Sequence, residues 1–430
     1  MPKMFHLAWF GNSGPVNWSD PIGGLYDYRR PEIYQEVARL CERAKFDLVI
    51  FADSLAVPKS LGGSRDWYVK RGIQIPQDPV PILAMMAAVT SKIGLAATLS
   101  TTFYPPFLLA RLLGTLDHMS NGRIAWNVVT SASKDAARNF GYDELLDHDE
   151  RYDRADEYMD LCRALWDSWE PDAVKMDRGS GVFADPAKVH EVNFKGRYYK
   201  SAGPLNVTSS PQRYPVISVA GTSPRGTRFA ARHGDMAIGH KNSAADMRFY
   251  VDNLRQRAAE EGRDPASIKV FFSIKPVLGD SEAEAKERWA KNYEEADIEE
   301  GLAILSNYLG VDLSEYELDQ PLPRDMKING IVGSMQRYLS MPPGSTLRDW
   351  AKEEAMHETL PICGTPEHVA DVLEQTVIDT GCDGFHVRAG IANYPYLLEF
   401  ATKLVPVLQR RGLTRRDYSG TTLKENLAAF

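Results

Sequence analysis

Asp47-Leu48-Val49-Ile50-Phe51-Ala52-Asp53 is a short apolar run bounded by two carboxylates, and a segment of helical character, Pro81-Ile82-Leu83-Ala84-Met85-Met86-Ala87-Ala88-Val89, comes after it. The run has the length and composition of a buried strand. An apolar strand followed by a helix is the repeating unit of a parallel sheet, because parallel strands need a long crossover connection. The pair therefore predicts one βα unit of an α/β protein.

Seven further apolar runs repeat this unit along the chain, and helical patterns follow them. The helix after the fourth run, from about Asp149 to Ser168, has an apolar stripe at three- and four-residue spacing that predicts packing against a sheet. Eight such units predict a TIM (β/α)8 barrel, because eight tilted strands close on themselves and leave no edge. An open doubly wound sheet is the alternative. The predicted strands are 5–10, 47–53, 93–101, 123–130, 215–220, 236–240, 269–278 and 384–389.

Two segments do not fit the repeat. Residues from about 170 to 214 are rich in glycine, proline and charge, and residues from about 297 to 362 have helical pieces of their own. We expect one domain over 1–430, with both segments as long insertions at the βα face of the barrel. For 297–362, a solvated excursion and a lid over a substrate pocket remain equally open.

The composition excludes several classes of protein. The chain has 430 residues and a formal charge of −8, which disfavours binding to nucleic acid or to an anionic membrane. Apolar runs such as 82–89 are far shorter than the ~20 residues of a membrane helix, and the amino terminus does not resemble a signal peptide. We therefore expect a cytoplasmic protein with no membrane or nucleic-acid partner. Four scattered cysteines predict buried thiols, and the histidine spacing predicts no metal site.

Polar residues lie near the ends of three predicted strands. Asp53 ends the second strand, and Asn127 lies near the end of the fourth. Period-two alternation puts Thr98 and Ser100 on one face of the third strand, and either that face or the opposite one points into the barrel. Active sites of TIM barrels lie at the carboxyl ends of the strands. We expect these residues at a ligand site, with the Asn127 amide facing neutral ring atoms, although Asp53 also fits a helix cap.

The turn Ala220–Gly226 after the fifth strand combines glycine, the hydroxyls of Thr222 and Ser223, and a proline at the start of a helix. Such a turn presents N–H groups and a positive dipole end to an anion, although an ordinary serine cap explains it equally well. His148 and Tyr152 favour the anion, because their four-residue spacing puts them on one face of a helix start at the same rim. Together these residues predict a phosphate site.

A phosphate site after a late strand, with polar groups on earlier strands, suits FMN better than a dinucleotide. No Gly-x-Gly-x-x-Gly sequence follows any predicted strand, so a Rossmann NAD site is disfavoured.

Several motifs of the sequence resemble the bacterial-luciferase-like flavin monooxygenases over almost the whole chain. Within that family the chain is similar to the subfamily of nitrilotriacetate monooxygenase component A, dibenzothiophene-sulfone monooxygenase and pristinamycin synthase. The motifs are Phe51–Ala56, Thr115–Ser131, His148–Ala155, Gly203–Val207, Ala220–Gly226, Val405–Gly412 and Tyr418–Leu423.

The resemblance implies a two-component monooxygenase that uses reduced FMN (FMNH2) and O2 to hydroxylate a small organic substrate or to cleave its C–N or C–S bond. An NAD(P)H-dependent flavin reductase is the implied partner, and a homodimer or homotetramer is the implied assembly. Catalytic residues remain unknown. An F420-dependent oxidoreductase and a non-catalytic flavin-binding protein remain as alternatives. The family's flavin contacts would fall on Asp53, Thr98, Asn127, His148, Tyr152 and Ser223, beside Thr222 of the same turn.

Overall fold

The computed structural model of the chain describes residues 3–15, 18, 27–241, 243–326, 328, 330–356, 360–388 and 393–430. Its strands are β1 (His6–Asn12), β2 (Leu48–Ala52), β3 (Gly94–Ser100), β4 (Ile124–Val129), β5 (Val174–Asp177), β6 (Val182–Ala184), β7 (Phe194–Lys195), β8 (Lys200–Ser201), β9 (Val216–Val219), β10 (Met236–Gly239), β11 (Lys269–Ile274), β12 (Val277–Leu278), β13 (Cys363–Gly364) and β14 (Gly384–Arg388).

Eight of these strands form a closed parallel barrel in the order β1, β2, β3, β4, β9, β10, β11 and β14, and β14 pairs back onto β1. The predicted TIM barrel is therefore confirmed. Each predicted strand overlaps an observed one to within two residues, except 269–278. That segment divides into β11 and β12 around Lys275 and Pro276, because proline cannot donate to a strand ladder. Residue 389, the last of the predicted eighth strand, lies outside the described residues.

Helices surround the barrel. They are α1 (Pro31–Arg43), α2 (Asp66–Arg71), α3 (Pro79–Ala87), α4 (Pro106–Ser120), α5 (Lys134–Asn139), α6 (His148–Trp166), α7 (Pro224–His233), α8 (Ala244–Glu260), α9 (Glu282–Glu294), α10 (Ile298–Leu309), α11 (Val332–Leu339), α12 (Leu347–Ala355), α13 (Pro366–Thr380), α14 (Tyr394–Glu399), α15 (Val405–Arg411) and α16 (Leu423–Leu427). A π-helical turn, Phe400–Leu404, joins α14 to α15, and single 3-10 turns lie at Pro186–Lys188, Pro265–Ser267 and Leu313–Glu315.

The interior of the barrel is apolar towards the amino-terminal ends of the strands. Small and branched side chains such as Ala96 and Ile50 form this layer, and Leu423 and Leu427 of α16 pack into it from below. A Cβ on Gly94 would lie only 2.6 Å from Leu423, so the carboxyl-terminal helix is seated against the first residue of β3. The apolar end of the barrel is thereby closed by α16.

The carboxyl-terminal halves of the strands are polar inside. Alternation along β3 turns Thr98 and Ser100 inward, and His386 and Arg388 occupy the same face of β14. The two possible faces of the third strand are thus resolved in favour of the hydroxyl-bearing one.

The two long insertions occupy different positions. The segment 297–362 lies between β11 and α13, which is a βα connection, as expected. The segment 170–214 differs from the expectation, because it lies between the end of α6 and the start of β9 and is therefore an αβ connection. It packs outside the barrel on α6, where the carboxylate of Glu157 accepts hydrogen bonds from three consecutive N–H groups, those of Arg197, Tyr198 and Tyr199.

No helix among the described residues is long and apolar enough to span a membrane.

Candidate functional site

A cavity of about 290 Å³ opens at the carboxyl ends of β2, β3, β4 and β9. The insertion 297–362 contributes the opposite wall through residues of α10, of α11 and of the loop between them. Six of the seven predicted site residues line this cavity, namely Asp53, Thr98, His148, Tyr152, Thr222 and Ser223.

Four helices begin at the cavity wall. His148 is the first residue of α6, and Ser133, Ser223 and Ile331 are the N-caps of α5, α7 and α11. A helix amino terminus has unpaired N–H groups and a partial positive charge. The arrangement therefore favours a ligand with a negatively charged end.

Ser223 and His148 meet at this end of the cavity. The Ser223 hydroxyl lies 3.3 Å from Nε2 of His148 and also accepts the backbone N–H of Gly226 at 3.0 Å. The rings of His148 and Tyr152 are 5.1 Å apart, and burial raises the pKa of Tyr152. The phenol is therefore neutral at physiological pH and can donate a hydrogen bond.

Glycine is required where the turn meets Tyr152. A Cβ on Gly226 would lie 2.8 Å from the Tyr152 hydroxyl and 3.0 Å from the Cα of Gly221. These distances are shorter than a relaxed Cβ contact, so a side chain at position 226 would force the turn and the phenol apart.

Arg151 is a cavity residue that the sequence analysis missed. Only 1% of it is exposed, its Nη1 donates to the carbonyl of Leu146 at 2.5 Å, and it lines the cavity beside His148 and Tyr152. Burial lowers the pKa of Arg151, but a guanidinium keeps its charge in proteins. Its position between His148 and Tyr152, at the start of the same helix, is the sequence signal that points to it.

Asn127 is the predicted residue that does not reach the cavity wall. It lies 5% exposed inside the barrel, where its Nδ2 donates to the Thr98 hydroxyl at 2.9 Å. Thr98 in turn donates to the carbonyl of Phe51 at 2.7 Å, and Ser218 donates to Asn127 Oδ1 at 3.4 Å. This chain orients the Thr98 hydroxyl, so Asn127 supports the cavity wall through its strand neighbour Thr98.

Asp53 lies in the wall near the end of β2. Its carboxylate accepts the N–H of Ser54 at 2.8 Å, and burial raises its pKa to about 6 despite that hydrogen bond. The group can therefore change its charge near neutral pH, in contact with whatever fills the cavity.

The insertion covers the turn Ala220–Gly226. The Thr222 hydroxyl occupies the space that a Cβ on Gly333 would need, so the start of α11 lies directly on the turn. Asn307 and Tyr308 of α10 complete this wall. The insertion therefore forms part of the pocket, and its residues could not be selected from sequence because no local motif marks them.

Among the described residues, no group of three or more histidine, cysteine, aspartate or glutamate side chains is arranged to hold a metal ion.

The sequence matches the family described as luciferase-like monooxygenase over residues 19–384. It is 38% identical to the dibenzothiophene-sulfone monooxygenase of Rhodococcus erythropolis (strain XP), with 99% of this chain and 96% of the relative covered. It is 35% identical to nitrilotriacetate monooxygenase component A of Aminobacter aminovorans, with 95% and 92% covered. The chain belongs to the luciferase-like monooxygenase family. As a member of this family it is an enzyme, and the predicted flavin-dependent monooxygenase activity on a small organic molecule is confirmed at this level.

The solved structures similar to this luciferase-like monooxygenase separate the flavin and F420 alternatives. Riboflavin lyase (RcaE), solved with modified FMN and riboflavin, superposes with a TM-score of 0.91 at 32% identity, and 99% of this chain and 96% of that chain are covered. An F420-dependent secondary alcohol dehydrogenase reaches a TM-score of 0.59 at 16% identity, over 93% and 97% of the two chains. That level of likeness shows the shared fold alone, so the F420 alternative has no support beyond the barrel.

Proposed function

We propose that this luciferase-like monooxygenase is the oxygenase component of a two-component system that uses reduced FMN and O2. The observation that carries the proposal is a single cavity with two chemically different ends. One end has a buried cation, three hydroxyl-bearing side chains and an imidazole, and the other meets the inward hydroxyls of β3. FMN has the same division between a dianionic phosphate and a neutral ring system.

Ser223, His148, Tyr152 and Arg151 would hold the phosphate, together with Thr222 of the same turn. The start of α7 adds N–H groups and a positive dipole end, and Arg151 adds a full charge in a site where burial makes each interaction stronger. Gly226 leaves room for a close approach of the backbone, because a side chain there would meet Tyr152.

Thr98 and Asp53 would face the ring. The Thr98 hydroxyl donates to Phe51 and accepts from Asn127, which leaves an acceptor lone pair for a ring N–H. Asp53, with its pKa near 6, would accept or share a proton at the same rim. These roles assign particular atoms to two of the site residues that the sequence predicted, Thr98 and Asp53.

When bound, reduced FMN supplies the two electrons that reduce O2, so that one oxygen atom enters the substrate and the other becomes water. The chain's own contribution is to hold the ring, to exclude solvent with α10 and α11, and to position the substrate. Such an enzyme needs few acid–base groups, which fits the small number of titratable residues in the cavity wall.

A separate NAD(P)H-dependent flavin reductase would deliver the FMNH2. The chain has no dinucleotide-binding fingerprint after any barrel strand, and one relative carries the name component A. The substrate would be a small molecule that undergoes hydroxylation or cleavage of a C–N or C–S bond.

Anaerobic titration tests the proposal directly. The purified chain should bind FMNH2 more tightly than oxidised FMN, and NADH oxidation should begin only when a flavin reductase is added. Sustained NADH oxidation by the pure chain with FMN alone, or equal affinity for both flavin states, would refute it.

We also propose a homodimer or homotetramer in the cytoplasm. Leu108 and Met119 of α4 are 53% and 70% exposed, and Met85 of the neighbouring α3 is 44% exposed, which leaves apolar surface for a second copy. Light scattering at micromolar concentration should give a mass of two or four chains, and a monomer would contradict the proposal.

A further inference from the structure

A second group of charged side chains is buried behind the cavity. Arg388, at the end of β14, donates from Nη2 to Glu354 of α12 at 3.0 Å, and Arg337 of α11 donates from Nη2 to the other oxygen of the same carboxylate at 2.8 Å. The side chains are 11%, 9% and 2% exposed for Arg388, Arg337 and Glu354. We call these three residues the arginine cluster.

The arginine cluster has more positive than negative charge. Both guanidinium groups use the same carboxylate, and in the described part of the chain no second carboxylate forms an ion pair with either of them. A buried charge without a counterion is costly, so an anion at this place would be stabilised.

Two histidines next to the cluster do not supply that anion. Ser273 contacts Nδ1 of His386 at 2.9 Å, and the rings of His240 and His386 are 6.4 Å apart. Burial, followed by the charges of Arg388, Arg337 and Lys241, lowers the pKa of His240 to about 3. Both imidazoles are neutral, and among the described residues Nδ1 of His240 and Nε2 of His386 have no hydrogen-bond partner.

Tyr308 connects the cluster to the cavity. Its hydroxyl receives a hydrogen bond from Nη2 of Arg388 at 3.3 Å, and Tyr308 itself lines the cavity wall. The phosphate end is formed by the starts of α6 and α7. A molecule in the cavity that contacts the Tyr308 hydroxyl would therefore lie next to Arg388.

We propose that Arg388 and Tyr308 bind the anionic group of the substrate, so that the substrate is a small organic acid with a carboxylate or sulfonate. The inference rests on the proposed function, because it concerns the substrate of the same site. The family alone leaves this open, since the relatives described above are named for a sulfone and for nitrilotriacetate.

Direct binding to the flavin-free chain tests the inference independently of flavin chemistry. The probes are phenylacetate, benzenesulfonate and succinate, each compared with its neutral amide by calorimetry and thermal shift. At least one anion should bind and raise the melting temperature, and its amide should bind on the order of 10-fold more weakly or not at all. The same anion should still bind after saturation with FMNH2.

Arg388→Gln should weaken binding of that anion on the order of 10- to 100-fold, because one charge-assisted contact is lost. Arg388→Lys keeps the charge without the planar fork and should weaken binding less, which keeps the test decisive if the glutamine variant does not fold. Arg348→Gln is the matched control, because Arg348 pairs with Asp319 on the surface of the same insertion.

The inference is overturned if none of the three anions binds, if amides bind as well as acids, or if both Arg388 variants bind like the wild type. Displacement of the anion by FMNH2 also overturns it, because the anion would then occupy the phosphate end. If the wild-type chain does not bind FMNH2, this result counts against the proposed function instead. Anion binding by the flavin-free chain would still be a separate result.

Discussion

The Ser223 hydroxyl lies 3.3 Å from Nε2 of His148, and this contact joins the first turns of two helices that begin after different barrel strands. Both residues stand where a helix presents its N–H groups to the cavity. The contact therefore gathers two positive dipole ends at one point, where the buried cation of Arg151 also lies.

Removing the Ser223 hydroxyl should weaken binding of FMNH2 but not of reduced riboflavin, which has no phosphate. One neutral hydrogen bond corresponds to about 2- to 12-fold in the dissociation constant, and Tyr152→Phe should have an effect of the same size. Anaerobic fluorescence titration of both flavins measures the difference. An equal loss for the two flavins would place these residues at the ring or in the fold.

Ser223→Ala also removes the N-cap of α7. A matched variant separates the loss of stability from the loss of FMNH2 binding. Thr365 caps α13 by accepting the N–H of His368, far in sequence from the cavity residues. Thr365→Ala should therefore lower stability by the same ~1 kcal/mol and leave FMNH2 binding unchanged.

Gly226→Ala should reduce FMNH2 affinity at least 10-fold. The new Cβ would lie only 2.8 Å from the Tyr152 hydroxyl and would push the phenol away from the turn. Gly114→Ala is the control, since its Cβ would meet Val207 at an ordinary 3.5 Å within α4. The control should keep wild-type affinity. If Gly226→Ala binds FMNH2 normally, the turn and Tyr152 do not hold the phosphate.

Asp53 should make the protein less stable as the pH rises. Its folded pKa of about 6 lies above the value of 3.8 for the unfolded chain, so its favourable contribution is complete below pH 3.8 and is lost as the pH passes 6. Asp53→Asn should therefore gain roughly 2–3 kcal/mol relative to wild type between pH 4 and pH 8. Urea unfolding at both pH values measures the gain, and Asp143→Asn, at an exposed position, is the matched control.

Leu423→Ala should destabilise the fold by about 2–5 kcal/mol, because Leu423 is fully buried at the closed end of the barrel. Leu398 is 43% exposed, and Leu398→Ala should change stability by less than about 0.5 kcal/mol. Chemical unfolding gives both values. FMNH2 binding per folded molecule should be unchanged in the two variants, since α16 and the cavity lie at opposite ends of the barrel.

Elements that depend on neighbouring residues could be predicted from the sequence. The strands follow from runs of apolar residues, and the inward face of β3 follows from alternation once the barrel closes. His148 and Tyr152 share a helix face because they are four residues apart, and that spacing requires no knowledge of the rest of the chain.

Features that depend on how distant parts of the chain are arranged in the fold could not be predicted in the same way. The segment 170–214 was expected at the βα face and instead follows α6, because composition marks an insertion without marking the side on which the chain leaves the barrel. Asn127 was expected to face a ring and is paired with Thr98 of the cavity wall without itself lining the cavity, because which inward side chains reach the cavity depends on the packing of β4 against β3 and β9.

By itself the sequence determined the barrel, its repeating units and six residues of the cavity wall, because periodicity and short motifs are local properties of the chain. Only the tertiary structure decided that Arg151 is buried beside the starts of α6 and α7 and that Arg388, Glu354 and Arg337 meet behind Tyr308. These groups come from distant parts of the chain, and burial in a shared low-dielectric site, which no local pattern encodes, is what gives their charges an energetic effect.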